Sequence, residues 1–179
     1  MIIGIDHGYG YIKTCHSVFA SGVAAFDAEP AFSKRLVELD GRFYQVGCQP
    51  DGLAADKTAT EDYYIMTLAA IAEEMKAAGT TGAYVTLAVG CPLTRYGREK
   101  SQLEAYLSKN TKITFKYEGT EYKVYGISHI YTYPQGYAAI VDRLSQIKGA
   151  CYLIDVGTGT TDISPISSDK SIDLAKART

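Results

Sequence analysis

The sequence predicts an α/β domain built on a mixed sheet with helices on its faces. Short strand-like segments come first, and patterns typical of helix, strand, helix, hairpin, helix and strand then follow in turn. The hairpin signals exclude a purely parallel wound sheet, in which every connection would be a crossover. Two of the apolar strands end in an aspartate followed by a glycine-rich turn. A binding or catalytic site is therefore expected at these strand ends.

The N-terminal part of the chain predicts antiparallel strands. Residues 1–6, MIIGID, form a short apolar run that ends at a turn, which is typical of a buried strand. Residues 9–15 alternate in polarity and suit an antiparallel partner, and residues 16–26 suit a continuation of the same sheet. Residues 35–47 predict a hairpin, because Asp40-Gly41 separates two β-prone arms and suits a tight primed turn.

The middle of the chain predicts two helices with a strand between them. A connector rich in proline, glycine and aspartate, residues 49–58, leads to Thr58 and Glu61, which have the spacing of a capping box. Residues 61–79 predict a helix from apolar positions at helical spacing, with Gly79 at its end. The next two elements are an apolar strand at 83–93 and a more polar helix at 98–109.

The C-terminal part predicts a hairpin, a third helix and two more strands. Residues 112–133 indicate a hairpin that turns at Glu118-Gly119. Residues 134–148 indicate a helix with Pro134 in its first turn. Residues 149–157 predict a buried strand, and a further arm begins at residue 160.

The composition is that of an ordinary globular protein and excludes several function classes. Hydrophobic residues make up 46% and charged residues 21% of the 179 residues, and 18 basic against 20 acidic residues give a net charge of -2. There is no dense basic run, no apolar stretch long enough for a membrane span and no secretory signal pattern. We therefore expect a cytoplasmic protein without a direct nucleic-acid or membrane partner. The four cysteines are widely spaced, which favours reduced thiols over disulfides or a zinc site.

Two strand ends share the pattern D-x-G-x-G directly after an apolar run. The two copies are Asp6, Gly8 and Gly10, and Asp155, Gly157 and Gly159. Glycines let backbone amides approach a ligand closely, and such turns form concave anion-binding sites. Aspartates repel bound phosphate unless a divalent cation lies between them, and Mg²⁺ held through water by Asp6 and Asp155 would resolve that conflict. Lys13 adds a positive charge for phosphate oxygens.

These turns differ from those of the two common nucleotide-binding folds, because the Walker A pattern and the three-glycine Rossmann fingerprint are both missing. Instead, DHGYGYIK at 6–13 and DVGTGTTD at 155–162 resemble the phosphate 1 and phosphate 2 motifs of the superfamily of actin, sugar kinases and heat-shock chaperone ATPases. The segments IGIDHGYGYIKT, DKTATEDYYIMTLAAIAEE and YPQGYAAI also resemble bacterial actin-like plasmid-segregation ATPases of the ParM/StbA type. The likeness covers nearly the whole chain.

The resemblance implies a role for each matching residue. Asp6 and Asp155 would order the water shell of Mg²⁺ bound with ATP or GTP, and Asp155 and Gln135 would be the catalytic residues. Gln135 falls where the family places the residue that orients attacking water, a role that suits a neutral amide. Tyr9 stands where the family often has Ser or Thr, so backbone amides must contribute more there. The predicted cofactor-binding residues are Asp6, Gly8, Tyr9, Gly10, Lys13, Gly157, Thr158, Gly159, Thr160 and Thr161.

The resemblance also implies an architecture and partners. The fold would be a ribonuclease H-like/actin-like ATPase domain with a mixed five-stranded sheet, flanking helices and a small inserted subdomain. Residues 1–162 would form this N-terminal domain, and residues 163–179 would begin the link to an absent second nucleotide-binding domain. The whole protein would form head-to-tail filaments that segregate plasmids or DNA through a DNA-binding adaptor. The chain alone should bind ATP weakly and hydrolyse it poorly, because half of the electrostatic environment is missing, and sub-micromolar binding would contradict this.

Three other interpretations stay open. Half of a small-molecule kinase of the same superfamily would transfer phosphate to a sugar or carboxylate, although Gln135 favours water as the nucleophile. A truncated, non-catalytic regulatory module would keep the fold without turnover, which the set of Asp6, Lys13, Gln135 and Asp155 argues against for the whole protein. A ribonuclease H-like nuclease could use the two aspartates as metal ligands, but it gives the GTGTTD turn no purpose.

Overall fold

The computed structural model describes residues 1–50, 52, 56–173 and 176–178. Parts of the predicted connector at 49–58 and of the predicted link at 163–179 therefore lie outside the described residues. The described helices are α1 (Asp62–Ala77) and α2 (Tyr96–Leu107), with 3₁₀ segments at Leu93–Arg95, Tyr137–Ala139 and Val141–Gln146. The described strands are β1 (Ile2–His7), β2 (Tyr11–Lys13), β3 (Val18–Ala20), β4 (Gly22–Phe26), β5 (Leu36–Leu39), β6 (Arg42–Cys48), β7 (Gly82–Cys91), β8 (Ile113–Tyr117), β9 (Thr120–Pro134), β10 (Cys151–Val156) and β11 (Thr161–Ile166).

Nine of these described strands form one sheet in the order β3-β2-β1-β7-β9-β8-β5-β6-β4. Strands β1, β7 and β9 are parallel, and the other neighbouring pairs are antiparallel. The predicted mixed α/β architecture with flanking helices is confirmed. The sheet is larger than the predicted five strands, because β8, β5, β6 and β4 extend the part from β3 to β9. The expected small subdomain thus shares the main sheet.

Both predicted hairpin turns are confirmed. The β5–β6 hairpin turns at Asp40 and Gly41, with φ of 51° and 77°. The β8–β9 hairpin turns at Glu118 and Gly119, with φ of 50° and 75°. Positive φ at both central residues is the primed geometry that matches the right-handed twist of the strands.

The core lies between one face of the sheet and the two helices. All residues of α1 from 63 to 72 are buried, and α1 contacts β1, β2, β4, β5 and β6 while α2 contacts β7 and β9. The alternation predicted for a strand is visible in β7, where Val85, Leu87 and Val89 are at most 1% exposed. On the opposite face, Ile2 and Tyr84 are largely exposed. The parallel strands are therefore fixed from one side by the helices.

Two predicted helix features are wrong. Thr58 does not cap α1, because its amide and hydroxyl donate to Asp56 Oδ1 at 2.8 and 2.7 Å and close a local turn before the helix. The helix begins later, at Asp62. Residues 134–148 do not form an α-helix, because Pro134 ends β9 and Gly136 has φ of 75°, which breaks helical geometry. Two 3₁₀ segments follow instead.

The strand predicted at 149–157 is present as β10, but the prediction that it is buried is wrong. Among the described residues, β10 pairs with β11 in a separate two-stranded antiparallel sheet. Its side chains Tyr152, Ile154 and Val156 are 73%, 59% and 76% exposed. The predicted domain boundary at residue 162 falls inside β11 and stays a prediction. No helix in the described part of the chain is long and apolar enough to cross a membrane.

Candidate functional site

The candidate site is a cavity of about 170 Å³ at the carboxyl ends of the parallel strands. Parallel pairing of β1 with β7 and of β7 with β9 brings these strand ends to one edge. They contribute Asp6 from β1, the segment after β7, and Gln135 directly after β9. Strand β10 adds Asp155 near its end, and the turn between β10 and β11 adds residues that follow it. Two sheets therefore meet around one cavity.

Most of the predicted site residues line this cavity, although they come from distant parts of the sequence. Gly159 and Thr161 do not line it, and Thr161 is instead the first residue of β11. The predicted residues that do line it are Asp6, Gly8, Tyr9, Gly10, Lys13, Gln135, Asp155, Gly157, Thr158 and Thr160.

The two glycine-rich turns touch each other at Gly10 and Thr158. A Cβ at Gly10 would lie 2.2 Å from Thr158 Oγ1, so the second turn can come this close only because residue 10 is glycine. Gly8 is limited by its own turn, since a Cβ there would lie 2.6 Å from the Tyr11 carbonyl oxygen. The second turn is closed by the Gly157 amide, which donates to the Thr160 carbonyl oxygen at 2.8 Å.

Asp6 contacts both Lys13 and Gln135. Lys13 is the cross-strand neighbour of Asp6, and its Nζ lies 3.3 Å from Asp6 Oδ2. Gln135 Nε2 donates to Asp6 Oδ1 at 3.1 Å and to the His7 carbonyl oxygen at 3.3 Å. Because both neighbours are acceptors, the amide nitrogen faces them and Oε1 is directed away. Gly90 makes room for this side chain, since a Cβ there would lie 2.7 Å from Gln135 Cγ.

Asp155 experiences repulsion from neighbouring carboxylates. Partial burial raises the pKa of Asp155, and the carboxylates of Asp6 and Asp162 raise it further, against the opposing effect of Lys13. A divalent cation between Asp6 and Asp155 would relieve this repulsion. In the described part of the chain, no group of three or more His, Cys, Asp or Glu side chains could hold a metal. Carboxylate oxygens are the donors that Mg²⁺ prefers, so Asp6 and Asp155 would suit a hydrated cation held through water.

The segment after β7 contributes residues to the site that no sequence motif indicated. Pro92, Thr94 and Arg95 all line the cavity. Ligands commonly bind at the carboxyl ends of parallel strands, so the predicted apolar strand at 83–93 already indicated where to look. Arg95 donates to the hydroxyl of Tyr9, and its Nη1 lies 3.2 Å from Glu99 Oε1.

Two buried titratable side chains lie behind the first glycine turn. His7 is 1% exposed, and its Nε2 lies 2.8 Å from Thr67 Oγ1. Burial, with Lys57 adding to it, lowers the pKa of His7 to about 3, so His7 is a neutral core residue. Lys57 donates to the His7 carbonyl oxygen, and its Nζ lies 4.8 Å from the centre of the Tyr9 ring. Burial lowers the pKa of Lys57 to about 8. Both side chains pack behind the first glycine turn, on the side of the core.

A family model described as "Actin like proteins N terminal domain" matches residues 4–137. The chain belongs to the actin-like proteins. The matched segment of this actin-like protein runs from β1 to the residues just after β9, and it includes the first glycine turn and Gln135. The resemblance predicted from the sequence is confirmed. No curated protein matches the chain.

Solved structures of other actin-like proteins share this fold. The archaeal actin homologue Ta0583 matches with a TM-score of 0.78 and 21% identity, over 99% of this chain and 60% of that one. The apo ParM protein of pSK41 matches with a TM-score of 0.76 and 13% identity, over 99% and 64%. The AlfA filament bound to AMPPNP matches with a TM-score of 0.74 and 16% identity, over 99% and 68%. The chain thus spans 60% of the length of the archaeal homologue.

Proposed function

We propose that this chain is the N-terminal half of an actin-like protein that binds ATP with Mg²⁺, hydrolyses it and polymerises into filaments for plasmid or DNA segregation. The observation that carries the proposal is the contact between two glycine turns from separate sheets around Asp6, Gln135 and Asp155. Structural neighbours support it, since Ta0583 was solved in complex with ADP and AlfA as a filament bound to AMPPNP.

The residues around the cavity would account for distinct parts of the proposed reaction. Mg·ATP, when bound, supplies a reactive γ-phosphoryl group and a divalent cation that neutralises its charge. The amides of the two turns would bind phosphate oxygens, with Lys13 as a point charge beside them. Asp6 and Asp155 would hold water ligands of the cation. Asp6 also holds the Gln135 amide nitrogen, so that the amide oxygen is positioned to orient an attacking water.

The proposal extends to partners of the assembled protein. Head-to-tail assembly would use heterologous contacts, in which two different surfaces of one subunit meet in the filament. DNA contact would go through an adaptor protein, since the net charge of -2 gives no excess of basic residues. The use of GTP in place of ATP and a cytoplasmic location stay predictions of the sequence.

Nucleotide binding is tested by ligand-observed NMR with Mg·ATP and, separately, with adenosine. We expect the chain to bind ATP more tightly than adenosine but not with sub-micromolar affinity, because the turns bind phosphate while half of the proposed site is missing. Lys13→Gln should remove most of this preference, whereas Lys112→Gln, at an exposed position outside the cavity, should retain it. Equal affinity of the wild-type chain for ATP and adenosine would contradict phosphate binding by the turns.

Hydrolysis is tested with Gln135→Ala. If Gln135 orients water, its removal should lower the rate of phosphate release roughly 100-fold or more while changing ATP affinity little. Gln146→Ala is the matched control, because Gln146 is exposed at the end of a 3₁₀ segment and does not line the cavity. A Gln135→Ala variant that hydrolyses ATP at the wild-type rate would refute this role.

Assembly is tested by sedimentation with ATP, ADP or no nucleotide, using the chain and any longer protein that contains it. Nucleotide-dependent sedimentation supports the filament proposal. Phosphate transfer to a sugar or carboxylate without sedimentation would instead select the small-molecule kinase.

A further inference from the structure

The proposed site has a charge problem that Lys13 alone does not solve. Asp6, Asp155 and Asp162 all line the cavity, and Lys13 is already paired with Asp6 at 3.3 Å. A triphosphate brings several more negative charges, and a divalent cation offsets only part of them. A second cationic side chain at the cavity wall would lower the cost of binding such a ligand. Among the described residues that line the cavity, Arg95 is the cationic side chain besides Lys13.

Arg95 is held in place before any ligand binds. It ends the 3₁₀ segment Leu93–Arg95 and directly precedes α2, so its backbone is part of a regular element. Its guanidinium donates to the Tyr9 hydroxyl and lies 3.2 Å from Glu99 Oε1. The side chain is 27% exposed. A guanidinium carries five N–H donors in a planar fork, so it can bind phosphate oxygens while keeping protein partners.

Tyr9 connects Arg95 to the first glycine turn. The Tyr9 ring lies 4.8 Å from Lys57 Nζ, while its hydroxyl accepts from Arg95, so the side chain is fixed at both ends. Since Tyr9 lies between Gly8 and Gly10, the turn and the guanidinium form one continuous wall of the cavity.

We propose that Arg95 is a phosphate-binding residue of the nucleotide site and that Tyr9 is its positioning residue. This inference rests on the nucleotide binding proposed above. The competing explanation is that Arg95 only braces Tyr9 against Glu99. The two explanations predict different results for ligands with and without phosphate. A residue that only braces the fold should affect the binding of ATP and adenosine alike, whereas a residue that binds phosphate should affect ATP alone.

The test measures the Kd of Mg·ATP and of adenosine for Arg95→Gln by ligand-observed NMR, together with the midpoint of thermal unfolding. The matched control is Arg98→Gln. Arg98 contacts the same Glu99 oxygen at 3.3 Å, but its side chain is 78% exposed and does not line the cavity. We expect Arg95→Gln to weaken ATP binding about 10- to 100-fold, the loss of a charge-assisted contact, with adenosine binding unchanged. Arg98→Gln should bind both ligands like the wild type.

Two further variants keep the test decisive if Arg95→Gln unfolds. Arg95→Lys retains the charge without the fork and should show an intermediate loss of ATP affinity. Tyr9→Phe retains the ring over Lys57 and should weaken ATP binding less than Arg95→Gln does. Wild-type ATP affinity in Arg95→Gln, or an equal loss in Arg98→Gln, would overturn the inference alone. A wild-type chain that binds ATP no better than adenosine would overturn the proposed function as well.

Discussion

Replacing Gly10 by alanine is expected to separate the two glycine turns and thereby weaken both the fold around the site and nucleotide binding. The added Cβ would lie 2.2 Å from Thr158 Oγ1, 2.7 Å from Thr158 Cβ and 2.8 Å from Thr158 Cγ2. Ordinary contacts of this kind begin at 3.4 Å. The turns must therefore move apart by roughly 1 Å, since three atoms of one side chain cannot all rotate away.

The size of the effect follows from this displacement. Overpacking of a close contact costs about 1 to 3 kcal/mol, which is the expected loss in free energy of unfolding. A misplacement of about 1 Å in a site that binds one ligand from two sides can cost on the order of 100-fold in function. We therefore expect Mg·ATP affinity to fall at least about tenfold, beyond the loss of stability.

A double-mutant cycle isolates the contact. Unfolding in urea and Mg·ATP affinity are measured for Gly10→Ala, Thr158→Gly and the double variant, and the double variant should recover most of both losses. Alanine at position 158 would not suffice, because Thr158 Cβ itself is within 2.7 Å. Gly4→Ala on β1 is the control, since a Cβ there has nothing within 4 Å. Full stability of Gly10→Ala, or failure of Thr158→Gly to rescue it, would refute the close approach of the turns.

The other predictions concern titration of the groups around the site, measured as free energy of unfolding against pH. His7 has an ordinary pKa of 6.5 that burial lowers to about 3, so stability should fall by up to roughly 4 to 5 kcal/mol as pH drops from 6.5 towards 3, and His7→Gln should lack this component. Lys57 has an ordinary pKa of 10.5 that burial lowers to about 8 in the folded chain. The free energy of unfolding should therefore be highest above pH 10.5, as far as this group is concerned, and should fall by roughly 3 kcal/mol as the pH drops to 8 and below. Lys57→Met should remove that slope, and a slope equal to the wild type's would contradict the burial of this amine. Asp155→Asn should stabilise the ligand-free chain by less than about 1 kcal/mol, because it removes carboxylate repulsion at a partly exposed site, while weakening Mg·ATP binding.

The parts of the fold that local chemistry determines were predictable from the sequence. Asp40-Gly41 and Glu118-Gly119 adopt positive φ because these residue types tolerate it, and each turn sets the register of its hairpin. Helix α1 was predictable from apolar positions at helical spacing, although the structure buries it on all sides between residues 63 and 72. The glycine turns were visible in the sequence as well, because their geometry leaves no room for a Cβ at Gly8 or Gly10.

The parts that depend on tertiary context were not predictable in the same way. Residues 134–148 have a helical pattern, but Gly136 takes φ of 75° and lies against Asp155, where a Cβ would be 3.1 Å from the carboxylate oxygen. A long-range contact therefore overrides local propensity. The apolar run of β10 predicts burial, yet among the described residues β10 pairs with β11 in a separate sheet and three of its apolar side chains stay exposed. Arg95 has no motif of its own and enters the site only through strand order.

Because the site is divided between two sheets, ligand affinity is thermodynamically coupled to the packing of one sheet against the other. The second turn belongs to β10–β11, which has its own sheet, and it meets the first turn at Gly10–Thr158 and the end of β9 at Gly136–Asp155. A ligand that binds both turns binds only the arrangement in which they meet, so its binding free energy stabilises that arrangement by mass action. Changes at these two contacts should therefore alter affinity by moving the second turn, in addition to any direct effect at Gly10. Conversely, a ligand that contacts the first turn alone, such as free phosphate held by Lys13, should leave the position of β10–β11 unaffected.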